Sequence, residues 1–243
     1  MDSGTIQTAL RLIYPPRCLT CSTMVDSDFG LCGPCWRDTR FIGGAVCDGC
    51  GAPLMGDDAS GEVHCDDCIK TTRPWQQGRS ALLYKDNGRR VVLGLKHGDR
   101  QDVVGPASKW MAAAAREIAK PNMLVVTVPL HLSRLLKRRY NQAALLAQGV
   151  VAQLDLAWCP DALQRLNRMR SLDGMGRDAR FAHLEGVINA HPRRRRRMIV
   201  RSVLLVDDVM TSGATLAAAT DACLMGGAAN VSVLTLARVT KDA

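Results

Sequence analysis

Aromatic residues are scarce in this chain: four Trp, three Tyr and three Phe make up 4% of its 243 residues. The core must therefore be mostly aliphatic, and a surface that reads bases by stacking on a row of rings is not supported. Long apolar runs are missing too, and none approaches the roughly 18 residues needed to span a bilayer. The opening residues, MDSGTIQTALRLIYPPR, have neither the basic start nor the small-residue cleavage site of a secretion signal. A cytoplasmic protein with no membrane span is expected. Acidic residues are in deficit, with 23 Asp+Glu against 32 Lys+Arg, and the net charge of +9 favours anionic partners such as nucleic acid, phosphorylated metabolites or acidic membrane surfaces.

Cysteine, by contrast, is abundant at one end. Eight of the ten cysteines form four C-x-x-C pairs, Cys18/Cys21, Cys32/Cys35, Cys47/Cys50 and Cys65/Cys68. Each such knuckle aims two thiolates at one point about 2.3 Å from a metal, and two knuckles complete a closed tetrahedral Zn²⁺ shell. Two structural zinc sites are the reading. Pairing of sequence neighbours is the simplest arrangement, and interleaved pairing is the alternative. Disulfides fit poorly in a chain without a secretion signal, and iron–sulfur ligation is a further alternative. Cys159 and Cys223 stand apart and read as small buried hydrophobes.

The length suits one α/β core of about 150 to 200 residues plus a small module. The cysteines end before TTRPW (71–75), which divides the chain into a zinc-binding module, a double zinc ribbon over 1–72, and a larger domain over 73–243. In the larger domain, the short run at 80–84, the continuous β-branched run at 123–129 and the apolar runs at 202–206 and 231–237 read as strands. Helical patterns at 88–98, 106–119, 141–154 and about 215–225 separate them, the last stopped by Gly226 and Gly227. Alternation of this kind implies a largely parallel sheet with helices on both faces. The polar, basic stretch 165–186 reads as a mobile loop with some helix, and the run Arg193 to Arg197 as a solvated loop or a track for a nucleic-acid backbone.

One stretch, VLLVDDVMTSGAT (203–215), concentrates chemistry. Four apolar residues deliver Asp207 and Asp208 to the carboxyl end of a strand, where open parallel sheets bind ligands. Thr211, Ser212, Gly213, Ala214 and Thr215 then run into a helix whose first N–H groups and dipole favour phosphate. The loop is not of the Walker type, having neither its spacing nor its lysine. Carboxylates beside a phosphate cup suit ribose 5-phosphate: the acids accept hydrogen bonds from its hydroxyls and stabilise an oxocarbenium-like centre at C1.

This stretch resembles the phosphoribosyl-pyrophosphate (PRPP) signature of type I phosphoribosyltransferases, four apolar residues, two acids and a T-[ST]-G-x-T loop. Together with the cysteines, LKHGDR (95–100), VPLHLSRLLKRRYNQAALLA (128–147) and VLTLARV (233–239), it makes the chain resemble the ComF family over nearly its whole length. That family joins a zinc-binding module to a phosphoribosyltransferase-like domain and is associated with competence. The resemblance implies a type I phosphoribosyltransferase-like fold and a PRPP site at Asp207, Asp208, Val209, Thr211, Ser212, Gly213, Ala214 and Thr215, with Asp207 and Asp208 catalytic. Pro129, Leu130, His131 and Arg138 would face the pyrophosphate, with Mg²⁺ spreading its charge. The family's R-G-F-N-Q is here Arg138-Arg139-Tyr140-Asn141-Gln142. Its S-Q-x-G-L-S…R…N loop survives as Ser171, Gly174, Arg177 and Arg180, with Leu172 and His183 at the glutamine and asparagine positions.

Two functions are implied. The first is a phosphoribosyltransferase of unassigned acceptor, linked to DNA uptake or processing. The alternative is a non-catalytic adaptor that binds single-stranded DNA or a helicase-type DNA-translocation partner, with PRPP as a regulatory ligand. Because the cysteine segment has little else to build a core from, zinc should supply its folding energy, about 10 kcal/mol per site by analogy with zinc fingers. On sequence alone, chelation is expected to melt residues 18–68 and spare the rest, as limited proteolysis would report.

Overall fold

The computed structural model describes residues 15–25, 30–56, 61–97, 100–130, 140–165 and 187–240. Its elements in chain order are α1 (Gly33–Asp38), α2 (Asp66–Lys70), β1 (Gly78–Leu83), α3 (Asp86–His97), α4 (Val104–Ala115), β2 (Leu124–Thr127), α5 (Gln142–Leu154), β3 (Ala157–Cys159), β4 (Leu163–Arg165), β5 (Ile188–Ala190), β6 (Ser202–Met210), α6 (Ala214–Met225) and β7 (Asn230–Arg238). Five strands form one sheet in the order β1-β7-β6-β2-β3, and every pairing in it is parallel. From β2 the chain crosses through α5 to β3 on one side, while from β6 it crosses through α6 to β7 on the other. The crevice between β2 and β6 is thus the topological switch point, where such sheets receive ligands.

The apolar runs are continuous because both faces of the sheet are covered. Val125, Leu204, Val206, Leu234 and Leu236 pack in one core with Leu95 of α3, Met111 of α4 and Leu146 of α5. Leu124, Val126, Val203, Leu205 and Val233 pack in a second core with Leu216, Ala219 and Ala222 of α6 and with Leu163 and Ile188 of a small antiparallel ribbon. Cys159 and Cys223 are fully buried in that second core, as small hydrophobes.

Sequence reading missed three short strands. β3 has three residues, and so do β4 and β5, which pair across the intervening segment. Elements so short carry no readable periodicity, and their pairing is set by the sheet they pack on. The segment 166–186, expected as a mobile loop, lies outside the described residues; β4 and β5 form its stem. The strand expected at 202–206 continues to Met210, because β7 pairs alongside it to Arg238. Arg195–Arg197 form a 3-10 turn just before β6.

The cysteine-rich segment is not a separate bead. Cys18, Leu19 and Leu31 belong to the first core and Cys47, Cys50 and Cys68 to the second. Residues 40–42 run along the free edge of β1: Ile42 N–H donates to Ala81 O, Leu83 N–H donates to Arg40 O, and Phe41 bridges Leu82 antiparallel. An exposed sheet edge is thereby covered. The scarce aromatics gather at this junction, where Phe41 lies 4.4 Å from Trp36 and 5.3 Å, edge-on, from Trp110 of α4. Arg79 of β1, almost fully buried, holds Asp48 of a knuckle loop at 2.9 Å and Glu117 at 3.2 Å. Trp75 Nε1 donates to Gly49 O at 2.6 Å.

This packing revises the expectation of independent melting. Zinc removal should lower the thermal midpoint of the parallel sheet together with that of residues 18–68, in one broadened or shifted transition. Calorimetry with and without chelator checks it, and a sheet transition unmoved by chelator would contradict the shared cores.

Candidate functional site

At the carboxyl end of β6, the neighbouring β2 has already ended, since Thr127 pairs with Val206, while β7 continues beside Asp207 and Val209. The acids therefore sit on the rim of the crevice, half-buried. Leu204, Val206 and Val209 pack with the first core, whereas Val203, Leu205 and Met210 pack with the second, so the in–out alternation shifts by one residue across the acids.

Each carboxylate has its own electrostatic surroundings. Asp208 forms an ion pair with Lys96 of α3 at 3.2 Å, both side chains largely shielded from solvent. Asp207 Oδ1 accepts from the Asp208 N–H at 2.8 Å. Burial, and next the neighbouring Asp208 charge, push the Asp207 carboxyl up to about 7, against the opposing pull of that N–H and of the Lys96 and Arg165 charges. The sequence put these acids in unfavourable proximity, and the fold answers with cations from α3 and β4.

Beyond Met210 the chain turns at Thr211, Ser212 and Gly213 into α6. Gly213 has φ +86°, and a Cβ there would meet Arg73 Nη1 at 2.8 Å and Trp75 Cη2 at 3.1 Å. Glycine is required on both counts, the left-handed backbone and the close approach. Ser212 Oγ accepts from Ala214 N–H at 3.4 Å. Thr211 is exposed, Ser212 and Thr215 half-buried, and Ala214 buried, so three hydroxyl side chains lie at the start of α6. Such an assembly favours an oxyanion.

Of the residues expected to face pyrophosphate, Pro129 is buried and Leu130 half-buried just past β2, beside the crevice. His131 and Arg138 lie outside the described residues, as do Ser171 to His183. In the Arg-Tyr-Asn-Gln segment, Asn141 caps α5, accepting from Ala143 N–H at 3.1 Å, and its Nδ2 donates to Val128 O at 3.2 Å. Tyr140 Oη donates to Leu95 O at 3.0 Å, tying the entry of α5 to α3. Sequence reasoning missed Lys96, Arg165, Arg73 and Arg238 as members of the site. Lys96 lay inside LKHGDR, whose single lysine ahead of a glycine was the available signal.

The eight knuckle cysteines gather into two tetrads, Cys18, Cys21, Cys32 and Cys35 in one, and Cys47, Cys50, Cys65 and Cys68 in the other, with the sulfurs of each within 4.8 Å of one another. Sequential pairing is the arrangement found. Four thiols converging on one point, with no carboxylate or imidazole in the set, fit a structural Zn²⁺. Cys32 and Cys65 stand at the N-caps of α1 and α2, and the Cys65 N–H donates to Cys47 Sγ at 3.2 Å.

Residues 9–77 match the double zinc ribbon domain family. The chain is 26% identical over 234 residues to the DNA utilization protein YhgH of Escherichia coli, covering 93% of this chain and 99% of that one. It is 25% identical over 212 residues to Competence protein F of Haemophilus influenzae, covering 82% and 87%. With Competence protein ComFC of Bacillus subtilis the identity is 27% over 231 residues, covering 88% and 87%. Among the described residues, no helix is long and apolar enough to cross a membrane.

The raised Asp207 makes a signed prediction. A carboxyl that titrates near 7 when folded and near 4 when unfolded keeps its proton longer in the folded state, so stability falls as pH rises between those values. Asp207→Asn should thus stabilise the unliganded protein by about 1–2 kcal/mol at pH 8 and have little effect at pH 4. Thermal unfolding across that range checks it, and a pH-independent effect would contradict the assignment.

Proposed function

The chain is a ComF-family protein, and from that premise we propose that it binds PRPP with Mg²⁺ in the β2–β6 crevice and transfers the phosphoribosyl group to an acceptor. The observation that carries this reading is the continuity of one strand, loop and helix: the acids of β6, the Thr211–Thr215 loop and the start of α6 all open on the switch-point crevice. In this reading the loop hydroxyls and N–H groups hold the 5-phosphate, and Asp207 and Asp208 accept from the ribose 2′ and 3′ hydroxyls.

The acids do more than bind. As the bond between C1 and pyrophosphate lengthens, positive charge develops on the ring, and two adjacent carboxylates at the rim stabilise it. The acceptor's lone pair forms the new bond to C1, and the electron pair of the broken bond leaves with pyrophosphate. Mg²⁺ supplies charge neutralisation to that leaving group. Lys96 holds Asp208 in the unliganded site; a cation there is positioned to turn toward the pyrophosphate once ribose hydroxyls occupy the acid. Ionisation of Asp207 accompanies binding, so affinity should rise with pH toward 8.

The relatives' names, competence and DNA utilization, support a link to DNA uptake. One observation favours the adaptor reading as a second function: Arg193 to Arg197 are exposed at the start of β6, the end of the strand opposite the acids, with Arg194 paired to Asp161 at 2.8 Å. A single-stranded DNA backbone on that edge would leave the crevice open, and its affinity would fall steeply with salt.

Calorimetric titration with PRPP and Mg²⁺ is expected to show binding by the wild-type protein and at least about tenfold weaker binding by Asp207→Asn/Asp208→Asn, two charge-assisted contacts having been weakened. Equal affinities would overturn the site. Pyrophosphate release screened over bases, nucleosides and DNA separates transfer from ligand sensing.

A further inference from the structure

Two arginines join the second cysteine tetrad to the loop read above as the phosphate loop. Arg73 Nε donates to Cys68 Sγ at 3.4 Å, while its Nη1 donates to Ser212 O at 2.8 Å. Arg238 Nη2 donates to Cys50 Sγ at 3.8 Å, while its Nη1 donates to Thr211 O at 2.7 Å and to Met210 O at 3.3 Å, and also to Val239 O. Each guanidinium is thus a strut with a tetrad sulfur at one end and a loop carbonyl at the other. The plane of Arg73 is fixed from the side, with Cζ 5.5 Å from the ring centre of Trp75, which is itself pinned to the knuckle by its bond to Gly49 O.

Charge explains why these struts are arginine. Arg238 is 3% exposed, and its hydrogen bonds run to three carbonyls and one sulfur. A guanidinium is not buried without a compensating anion. Four thiolates around one Zn²⁺ carry net negative charge, and donors to their sulfurs stabilise that state. The metal-loaded tetrad is the anion that balances Arg238, and it makes the Arg73 and Arg238 bonds to sulfur charge-assisted. When the metal leaves, the four sulfurs lose the centre that holds them together, and the struts lose their fixed end.

We propose that Arg73 and Arg238 are positioning residues through which zinc in the Cys47/Cys50/Cys65/Cys68 tetrad sets the geometry of the Met210–Gly213 loop, so that the loop is in order only when that tetrad is loaded. The zinc module then acts on the crevice as well as stabilising the fold. Gly213 fits the same design, since the space a side chain would need is filled by Arg73 and Trp75. The coupling itself needs only the loop; its effect on ligand affinity rests on the phosphate reading of that loop.

Hydrogen exchange of the zinc-loaded full chain tests it. In Arg73→Met, which removes one strut, and in Cys68→His, which keeps a zinc-binding Cys₃His set but removes the sulfur acceptor, amides of residues 211–216 should exchange about tenfold faster, with zinc content unchanged and β2 amides still protected. Arg73→Lys keeps the charge but not the fork, and should fall between Arg73→Met and wild type; it carries the test if Arg73→Met loses protection in β2. Ribose 5-phosphate, titrated in parallel, should bind about tenfold more weakly to each variant. Unchanged exchange at 211–216 in variants with full zinc would overturn the coupling. Faster exchange in a protein whose wild type binds no ribose 5-phosphate would leave the coupling standing and sink the phosphate reading instead.

Discussion

The contact between thiolate clusters and the parallel sheet governs this protein. A segment with so few aliphatic residues cannot bury enough apolar surface to order itself, and metal–thiolate bonds supply what the hydrophobic effect cannot. The sheet in turn gains from the arrangement. Its β1 edge is covered by residues 40–42, and both of its cores are completed by cysteines and their neighbours. Zinc binding, edge protection and core packing are therefore one linked equilibrium, in which each side stabilises the other.

The second tetrad lies on the same side of the sheet as α6, and this gives the crevice its setting. Acids at a strand end and a loop of small residues are locally unstable features: the acids repel, and the loop has little side-chain packing of its own. Lys96 offsets one problem from α3, and Arg73 and Arg238 offset the other from the stretch that follows α2 and from β7. The cost of the acids is still visible in the raised Asp207. A site that is somewhat unfavourable when empty is poised to gain most from a ligand that brings hydroxyls and cations to it.

Much of this was legible in the sequence. The four knuckles announced a metal because thiolate pairs at this spacing, repeated four times within 51 residues, converge on closed four-sulfur sites. The longer strands β6 and β7 were legible from short runs rich in Val and Leu, and the Gly226–Gly227 stop of α6 from the left-handed preference of glycine, with Gly227 at φ +99°. The short strands β3, β4 and β5 were not, since three residues hold no period. The carboxyl limit of β6 was misread at Val206, because an Asp-Asp pair has low strand propensity and only the neighbouring β7 keeps it extended.

The sequence by itself determined the local chemistry: which cysteines form knuckles, which strand carries the acids, and which small hydroxyl-bearing residues follow them into a helix. These follow from residues within a few positions of one another. Tertiary structure alone decided which knuckles share a tetrad, that both tetrads join the sheet's cores, and that Arg73, 139 residues from Ser212, and Arg238, 188 residues from Cys50, link metal to loop. No local pattern encodes a bond between residues so far apart. An arginine looks the same in sequence whether it ends in water or between a sulfur and a carbonyl, and only the packed fold removes the water that makes the difference.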